Sequence, residues 1–330
     1  MIDGQFTLGV EEEYQIVDPE SGELRSYIQE LIEMRGELNR LSQRGGLRII
    51  AASTHPFSDW KMQDITDQAR YHGIVNDMQD VARANLIFGL HVHVGIKDKE
   101  TAIALTNQVR YFLPHILALT TSSPFWMGRK TGLMSTRTQI FKRFPRTGIP
   151  DEFESSVHFK SFVDLLVKTG CIDDAKKIWW DVRPHHLYDT VEVRICDMPT
   201  SMDDTVAVVA LIQALMGKLY LMYRRNTAFR SYSRSLIEEN KWRALRFGTG
   251  AKLIDFGRKE ERPFAELMDE LIDFVSEATD IFGTEAHVKR IKDIALRGTS
   301  AHRQIEIYDK NGGATKPVVD WLMAETMRGI

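Results

Sequence analysis

Four stretches of the chain alternate hydrophobic and polar residues with a period of two, which is typical of strands with one buried face. They cover residues 5–17, 47–53, 86–96 and 190–198. Hydrophobic residues follow a helical spacing in seven further stretches: 64–85, 101–119, 159–167, 203–224, 235–246, 263–282 and 285–296. The elements show no fixed repeat and no Pro- or Ser-rich linker, which favours a single α+β domain over residues 1–330.

Two segments, 122–150 and 179–189, have no clear period and are rich in aromatic residues, Arg, Pro and Gly. Loops of this length in a compact domain are usually functional or disordered. Their Trp, Phe and Arg content argues against disorder, so we expect ordered loops over a site.

The first predicted strand carries three consecutive acids. Because side chains alternate across a strand, Glu11 and Glu13 share the polar face and Glu12 points to the apolar one. Taken alone, such a pair is more typical of a solvated acidic face than of a site.

The third predicted strand places His91 and His93 on one face, together with Gly89 and Gly95. A lone histidine is more often a packed core residue than a ligand. A His-x-His pair bracketed by glycines indicates a metal or phosphate site as readily as packing.

The fourth predicted strand puts Glu192 and Arg194 on one face, where they could form a simple ion pair. If they converge with the two carboxylates and two imidazoles, they form a site for a divalent cation and an anionic group. Carboxylate and water ligands suit Mg²⁺ or Mn²⁺, and the planar fork of Arg fits phosphate oxygens. A Walker A loop, a His-Glu-x-x-His motif and a Gly-x-Ser-x-Gly elbow are absent from the sequence, and the set is compatible with phosphoryl transfer.

Composition restricts the kinds of molecule that the protein is expected to bind and the compartment in which it is expected to work. The 330 residues include 43 Lys and Arg against 46 Asp and Glu, with no separate basic block, so we expect no duplex nucleic acid partner. Cys171 and Cys196 are predicted to be free thiols in a reducing cytoplasm, and the first ten residues do not resemble a signal peptide. The apolar stretch 206–223 has polar interruptions, which favours a buried core helix over a membrane span. The oligomeric state stays open, a homo-oligomer included.

Several motifs, in order along the chain, resemble those of the carboxylate–amine ligases called glutamate–cysteine ligase type 2. They are TLGVEEEY (7–14), STHPF (53–57), GLHVHVG (89–95), SSPFW (122–126), WWDVRP (179–184), TVEVR (190–194) and AHRQ (301–304). The resemblance implies a fold similar to that of glutamine synthetase: a curved, mainly antiparallel sheet with helices packed on one face. It also implies that ATP and two or three Mg²⁺ ions bind the concave face.

Roles for single residues follow from the same resemblance. Glu11, Glu13, His91 and Glu192 are implied as metal ligands, and His93 as a neighbour of the nucleotide phosphates. Arg194 is implied to contact the transferred phosphoryl group, so that Glu192 and Arg194 are the catalytic pair. Further candidates for binding phosphate or substrate carboxylate, each of which is otherwise structural, are Arg137, Arg143, Arg146 and Arg183.

The implied reaction uses ATP to convert the side-chain carboxylate of a glutamate-like acid into an acyl phosphate. A cysteine-like amine then displaces phosphate and an amide forms, as in glutathione biosynthesis. Two alternatives stay open: a phosphagen-kinase-like phosphotransferase, and a non-catalytic nucleotide- or metabolite-binding protein.

The chain departs from the family pattern after Ser26, because tens of residues that the family has at this point have no counterpart in this chain. Either this member lost the segment or the chain as given omits it, and a genuine loss would leave one metal position short of ligands. We also expect Glu192→Gln or Arg194→Ala to abolish turnover while leaving thermal unfolding nearly unchanged.

Overall fold

A computed structural model describes residues 6–13, 28–63 and 69–330. The α-helices are α1 (Ile28–Arg44), α2 (Ala69–Met78), α3 (Asp80–Arg83), α4 (Lys99–Val109), α5 (Leu113–Thr120), α6 (Thr136–Phe141), α7 (Ser156–Lys168), α8 (Met202–Arg224), α9 (Arg234–Phe247), α10 (Phe264–Phe282), α11 (Glu285–Arg297), α12 (Ser300–Lys310) and α13 (Lys316–Thr326). The strands are β1 (Leu8–Glu12), β2 (Gly89–Gly95), β3 (Phe125–Trp126), β4 (Arg129–Lys130), β5 (Thr147–Gly148), β6 (Trp179–Trp180), β7 (Val182–Pro184), β8 (Thr190–Asp197), β9 (Lys252–Asp255) and β10 (Glu260–Pro263).

The central sheet has four strands in the order β1-β2-β8-β7, and every neighbouring pair is antiparallel. Its register places Glu11 opposite His91 and His93 opposite Glu192, and Arg183 lies opposite Glu192 on the other side. The mainly antiparallel sheet predicted from the sequence is therefore confirmed, and the charged residues of three strands lie in adjacent rows.

The apolar face of the sheet packs against helices. Val92 and Val94 of β2 and Val191 of β8 are fully buried in a core that includes α4, α5 and α8. Among the described helices, α8 alone is long and apolar enough to cross a membrane, but 78% of that stretch is buried inside the protein. The prediction of a buried core helix over 206–223 is confirmed.

The predicted strand at 47–53 is wrong, because this buried segment forms no strand ladder. Two of its backbone N–H groups donate to side chains: Ala51 N donates to Thr326 Oγ1 and Ser53 N donates to Ser122 Oγ. Alternation of hydrophobic residues fits any buried extended segment, so the pattern alone did not distinguish the two.

The two predicted loops contain more structure than expected. Segment 122–150 includes α6 and strands β3, β4 and β5, and segment 179–189 includes β6 and the sheet strand β7. These elements have two to six residues each, too few to show a period. The helix predicted over 64–85 is divided at Gln79 into α2 and α3, and residues 64–68 lie outside the described part.

Glu12 points away from Glu11, as the alternation predicts, and forms an ion pair with Arg35 of α1. The side chains of Arg35 and Glu12 are 0% and 3% exposed. Arg35 Nη1 also donates to the carbonyl oxygens of Thr200 at 2.9 Å and Thr326 at 3.4 Å. One guanidinium therefore joins β1 to the chain before α8 and to the C-terminal helix.

We expect Arg35→Met to lower the free energy of unfolding by about 3–5 kcal/mol, because it removes a buried cation that pairs with the Glu12 carboxylate. Adding Glu12→Leu should restore at least about 1 kcal/mol, since a buried pair replaced by apolar residues is often tolerated. Urea unfolding of both variants measures this. A loss below about 1 kcal/mol in Arg35→Met would contradict the assignment.

Candidate active site

Three strands bring one carboxylate, one imidazole and a second carboxylate together on the sheet face opposite the core. Potential ligand atoms of Glu11 (β1), His93 (β2) and Glu192 (β8) lie within 4.8 Å of one another. The Nε2 atom of His93 is 3.4 Å from Glu11 Oε1 and 3.8 Å from Glu192 Oε1. We call these three residues the acidic cluster.

The chemistry of the acidic cluster fits a divalent cation. His93 is 1% exposed, and its Nε2 atom has no hydrogen-bond partner among residues 6–13, 28–63 and 69–330. Its Nδ1 atom lies 3.1 Å from the hydroxyl oxygen of Thr190. If Nδ1–H donates to Thr190, the Nε2 lone pair faces two carboxylates, the arrangement in which a protein histidine ligates a metal.

His91 and Glu13 lie beside the acidic cluster. His91 Nδ1 is 3.3 Å from Glu11 Oε2, and His91 Nε2 is 3.9 Å from Glu13 Oε1. Burial lowers the pKa of His91, with Arg194 adding to the effect, so the imidazole is neutral at pH 7. The family resemblance implied His91 as a metal ligand and His93 as a neighbour of the phosphates, whereas the tightest group of described residues contains His93.

Glu192 lies between two arginines. Arg183 Nε donates to Glu192 Oε2 at 2.7 Å, and Arg194 Nη1 pairs with Glu192 Oε1. Burial alone would raise the pKa of Glu192, but the attraction of Arg194 and Arg183 outweighs it and holds the pKa at about 2. The neighbouring imidazoles of His91 and then His93 likewise hold the pKa of Glu11 far below its usual range. Both carboxylates are ionised at neutral pH.

The burial of Glu192 revises the expectation that Glu192→Gln leaves stability unchanged. The side chains of Arg183 and Arg194 are only 10% and 11% exposed. Removing the charge between them should lower the free energy of unfolding by about 3 kcal/mol. As a control, Glu277→Gln removes the surface partner of Arg225 and should cost less than about 1 kcal/mol. Equal losses in the two variants would contradict this account.

The effect of Glu192→Gln should also depend on pH. The folded-state pKa of about 2 lies below the ordinary value of 4.5, so ionised Glu192 stabilises the fold fully above pH 4.5. That contribution is lost as the pH falls towards 2. The difference in unfolding free energy between wild type and Glu192→Gln should therefore narrow from pH 5 to pH 3, and a constant difference would be evidence against the paired carboxylate.

Arg137 reaches the same face of the sheet because Gly89 has no side chain there. Its Nη1 and Nη2 atoms donate to the carbonyl oxygens of Ile195 and Arg194, each at 3.2 Å. A Cβ atom at Gly89 would lie 2.9 Å from Arg137 Cζ, so the guanidinium occupies the space that a side chain would fill. Arg137 is 4% exposed, and its Nε atom has no hydrogen-bond partner in the described part of the chain. Since Gly89 and His91 share a face, Arg137 extends the site beyond His91.

The remaining arginine candidates are used differently. Arg183 also donates to the carbonyl oxygens of Lys176 and Ile178, which commits it to holding the chain before β7. Arg146 donates to the Lys177 carbonyl at 3.0 Å and lies 5.7 Å from the Trp179 ring. Arg143 is exposed. Among the described contacts, neither Arg143 nor Arg146 bonds to the acidic cluster.

Two supporting residues received no role from the sequence. Thr190 holds His93, and its position two residues before Glu192 on one strand face was an available signal. Asp197 accepts from Ser122 N and from the hydroxyls of Ser123 and Ser135, which attaches segment 122–135 to the end of β8. No local sequence signal indicates that contact, because its partners lie more than sixty residues away.

Comparisons with known proteins identify the family of the chain. The family model described as glutamate–cysteine ligase family 2 matches residues 22–321. A relative from Sorangium cellulosum (strain So ce56), provisionally named glutamate–cysteine ligase 2, is 58% identical, with 100% of the chain and 98% of the relative covered. A relative from Herpetosiphon aurantiacus with the same provisional name is 48% identical, with 98% and 94% covered.

Solved structures support the fold class. A bifunctional glutathione synthetase from Pasteurella multocida matches with a TM-score of 0.68 at 12% identity, over 98% of this chain. The chain spans about half of that protein, 52% of its length. A glutamate–cysteine ligase from Francisella tularensis, in complex with AMP, matches with a TM-score of 0.63 at 13% identity, over 93% of this chain and 79% of that one.

The Sorangium comparison also bears on length. It extends over 370 positions, whereas the chain has 330 residues, so the relative carries residues with no counterpart here. The point after Ser26 where we expect the shortfall lies outside the described residues. The family match and the two relatives establish that the chain belongs to glutamate–cysteine ligase family 2.

Proposed function

We propose that the protein is an ATP- and Mg²⁺-dependent carboxylate–amine ligase. It activates the side-chain carboxylate of a glutamate-like acid as an acyl phosphate and joins the acid to a cysteine-like amine. The observation that carries the proposal is the acidic cluster, with its buried His93 nitrogen facing two ionised carboxylates beside Arg194. Family membership supports the ligase class, and the AMP complex of the Francisella protein supports a nucleotide substrate.

In this proposal Glu11, His93 and Glu192 hold the metal, and His91 and Glu13 border the same site. Bound Mg²⁺, or Mn²⁺, would supply charge neutralisation for the nucleotide phosphates. The chain itself supplies cations: Arg194 lies next to Glu192, and its buried Nε atom has no hydrogen-bond partner among the described residues. That N–H group is available to a phosphoryl oxygen, and a donor fixed before the reaction stabilises developing charge without reorganising.

Arg137 and Arg183 have separate roles in the proposed reaction. Arg183 keeps Glu192 ionised and in place through its bond to Oε2. The buried Nε–H group of Arg137, at the His91 end of the site, has no hydrogen-bond partner among the described residues and suits the carboxylate of an acid substrate. Arg183 and Arg194 together fix the orientation of Glu192. The other carboxylate of the acidic cluster, that of Glu11, is 49% exposed and accessible to a ligand.

The direct test is to supply purified protein with ATP, Mg²⁺, glutamate and cysteine. We expect release of ADP and phosphate that requires both the acid and the amine, with the amide detected by mass spectrometry. Phosphate that stays attached to the acceptor would instead indicate a phosphagen-kinase-like phosphotransferase. ATP binding that is indifferent to Mg²⁺ and to Glu13→Gln, without turnover, would indicate a non-catalytic binding protein.

A further inference from the structure

An apolar pocket of about 250 Å³ lies between α2, α3 and the segments around α6 and β6. Its walls include Trp60, Val75, Leu86, Phe141 and Trp179. For comparison, a dry apolar cavity of roughly 150 Å³ is enough to hold benzene. The pocket therefore has room for one aromatic ring or a branched aliphatic chain.

One side chain, Arg137, contacts both a wall of the pocket and the site. The guanidinium of Arg137 lies 5.7 Å from the Phe141 ring, which forms one wall. The same guanidinium covers Gly89 and bonds to the Arg194 carbonyl. A molecule that extends past Arg137 would have its apolar part against Phe141 and its reacting group towards the sheet face that carries Arg194.

The charges of the pocket walls select among ligands. Arg83 is the single charged residue in the described lining; its side chain is 43% exposed and lies 3.5 Å from Asp80. A glutamate-like acid carries two carboxylates and an ammonium group, and burying these against Trp60 and Leu86 would cost their hydration. The apolar part of the amine has no such cost, and aromatic walls favour it.

We infer that this pocket holds the apolar body of the acceptor amine, so that the preferred acceptors are larger and more apolar than cysteine. The inference rests on the proposed ligase function and specifies its second substrate. The amine nitrogen attacks the acyl carbon, forming the C–N bond as the bond from that carbon to the phosphate oxygen breaks. Phosphate leaves with the electron pair, and the proton lost by nitrogen ends on the released phosphate.

The first experiment compares acceptors at saturating ATP, Mg²⁺ and glutamate. Hydroxylamine is the reference, because it traps an acyl phosphate as a hydroxamate and is too small to need the pocket. We expect kcat/KM for amide formation to rise about four-fold for each methylene buried, and phenylalanine to exceed both alanine and cysteine by at least about ten-fold.

The second experiment fills the pocket. Ala82 lines it from α3 and lies outside the catalytic machinery, so Ala82→Phe removes volume and Ala82→Ser is a control of matched size. Ala82→Phe should lower kcat/KM for phenylalanine at least about ten-fold and leave hydroxamate formation unchanged, whereas Ala82→Ser should change neither. Val75→Phe fills the pocket from α2 and should behave in the same way, so that the test does not depend on the folding of one variant.

The outcomes separate the two proposals. Without hydroxamate formation in the wild type, the ligase function fails and this inference fails with it. Hydroxamate formation combined with a preference for cysteine over phenylalanine overturns the inference alone. The inference is also overturned if both filling variants lower kcat/KM by the same factor for hydroxylamine and for phenylalanine. It is overturned as well if the loss of kcat/KM grows with the apolar size of the acid and not with that of the amine.

Discussion

Glu11→Gln is expected to lower ATP turnover about a thousand-fold while leaving stability nearly unchanged. Glu11 supplies a carboxylate to the acidic cluster, and loss of a metal ligand removes several kcal/mol of charge stabilisation in the transition state. Its side chain is 49% exposed, so the folded state loses little when the charge is removed. Turnover is measured as ADP release, metal affinity by titration with Mn²⁺, and stability by thermal unfolding.

Glu37→Gln is the matched control, because the side chain of Glu37 is also 49% exposed and pairs only with Arg40 among the described ion pairs. This variant should keep wild-type turnover and metal affinity. If Glu11→Gln retains Mn²⁺ affinity and turnover within about three-fold of Glu37→Gln, Glu11 is not a metal ligand.

Gly89→Ala is the second change with a large expected effect. The new methyl group would lie 2.9 Å from Arg137 Cζ, closer than carbon atoms pack, and the guanidinium is buried and bonded to two carbonyl groups. We expect an overpacking cost of about 1–3 kcal/mol in unfolding free energy. Displacing Arg137 by about 1 Å should lower kcat about a hundred-fold.

The control for this variant is Gly73→Ala in α2, where a Cβ would meet no atom of the described residues within 4 Å. Alanine in a helix is favoured over glycine, so Gly73→Ala should raise stability by about 0.5–1 kcal/mol without affecting turnover. Wild-type kcat in Gly89→Ala would show that the position of Arg137 does not matter to the reaction.

The faces on which most of the site residues of the sheet lie could be predicted from the sequence. Period-two alternation assigned Glu11, His91, His93 and Glu192 to one face, and the antiparallel register of β1, β2 and β8 confirms that face. What alternation cannot give is the row in which each residue lies. His91 and His93 are equivalent by pattern, and only the pairing of strands far apart in sequence places His93 opposite Glu192.

The residues outside long strands were less predictable. Arg137 lies in the six-residue helix α6, and nothing local indicates that its guanidinium lies over Gly89. Arg183 lies in a strand of three residues, so its partnership with Glu192 follows from tertiary pairing alone. In the same way, 47–53 has the hydrophobic pattern of a strand, but two of its backbone N–H groups donate to distant hydroxyl groups.

The central claim is that a carboxylate is activated by phosphoryl transfer at the acidic cluster, and an isotope transfer measures this directly. Glutamate labelled with ¹⁸O in its side-chain carboxylate is incubated with ATP, Mg²⁺, hydroxylamine and the protein, and the released phosphate is analysed by mass spectrometry. The account predicts one ¹⁸O atom in each phosphate released, because the acyl C–O bond breaks. Release of unlabelled phosphate would contradict it.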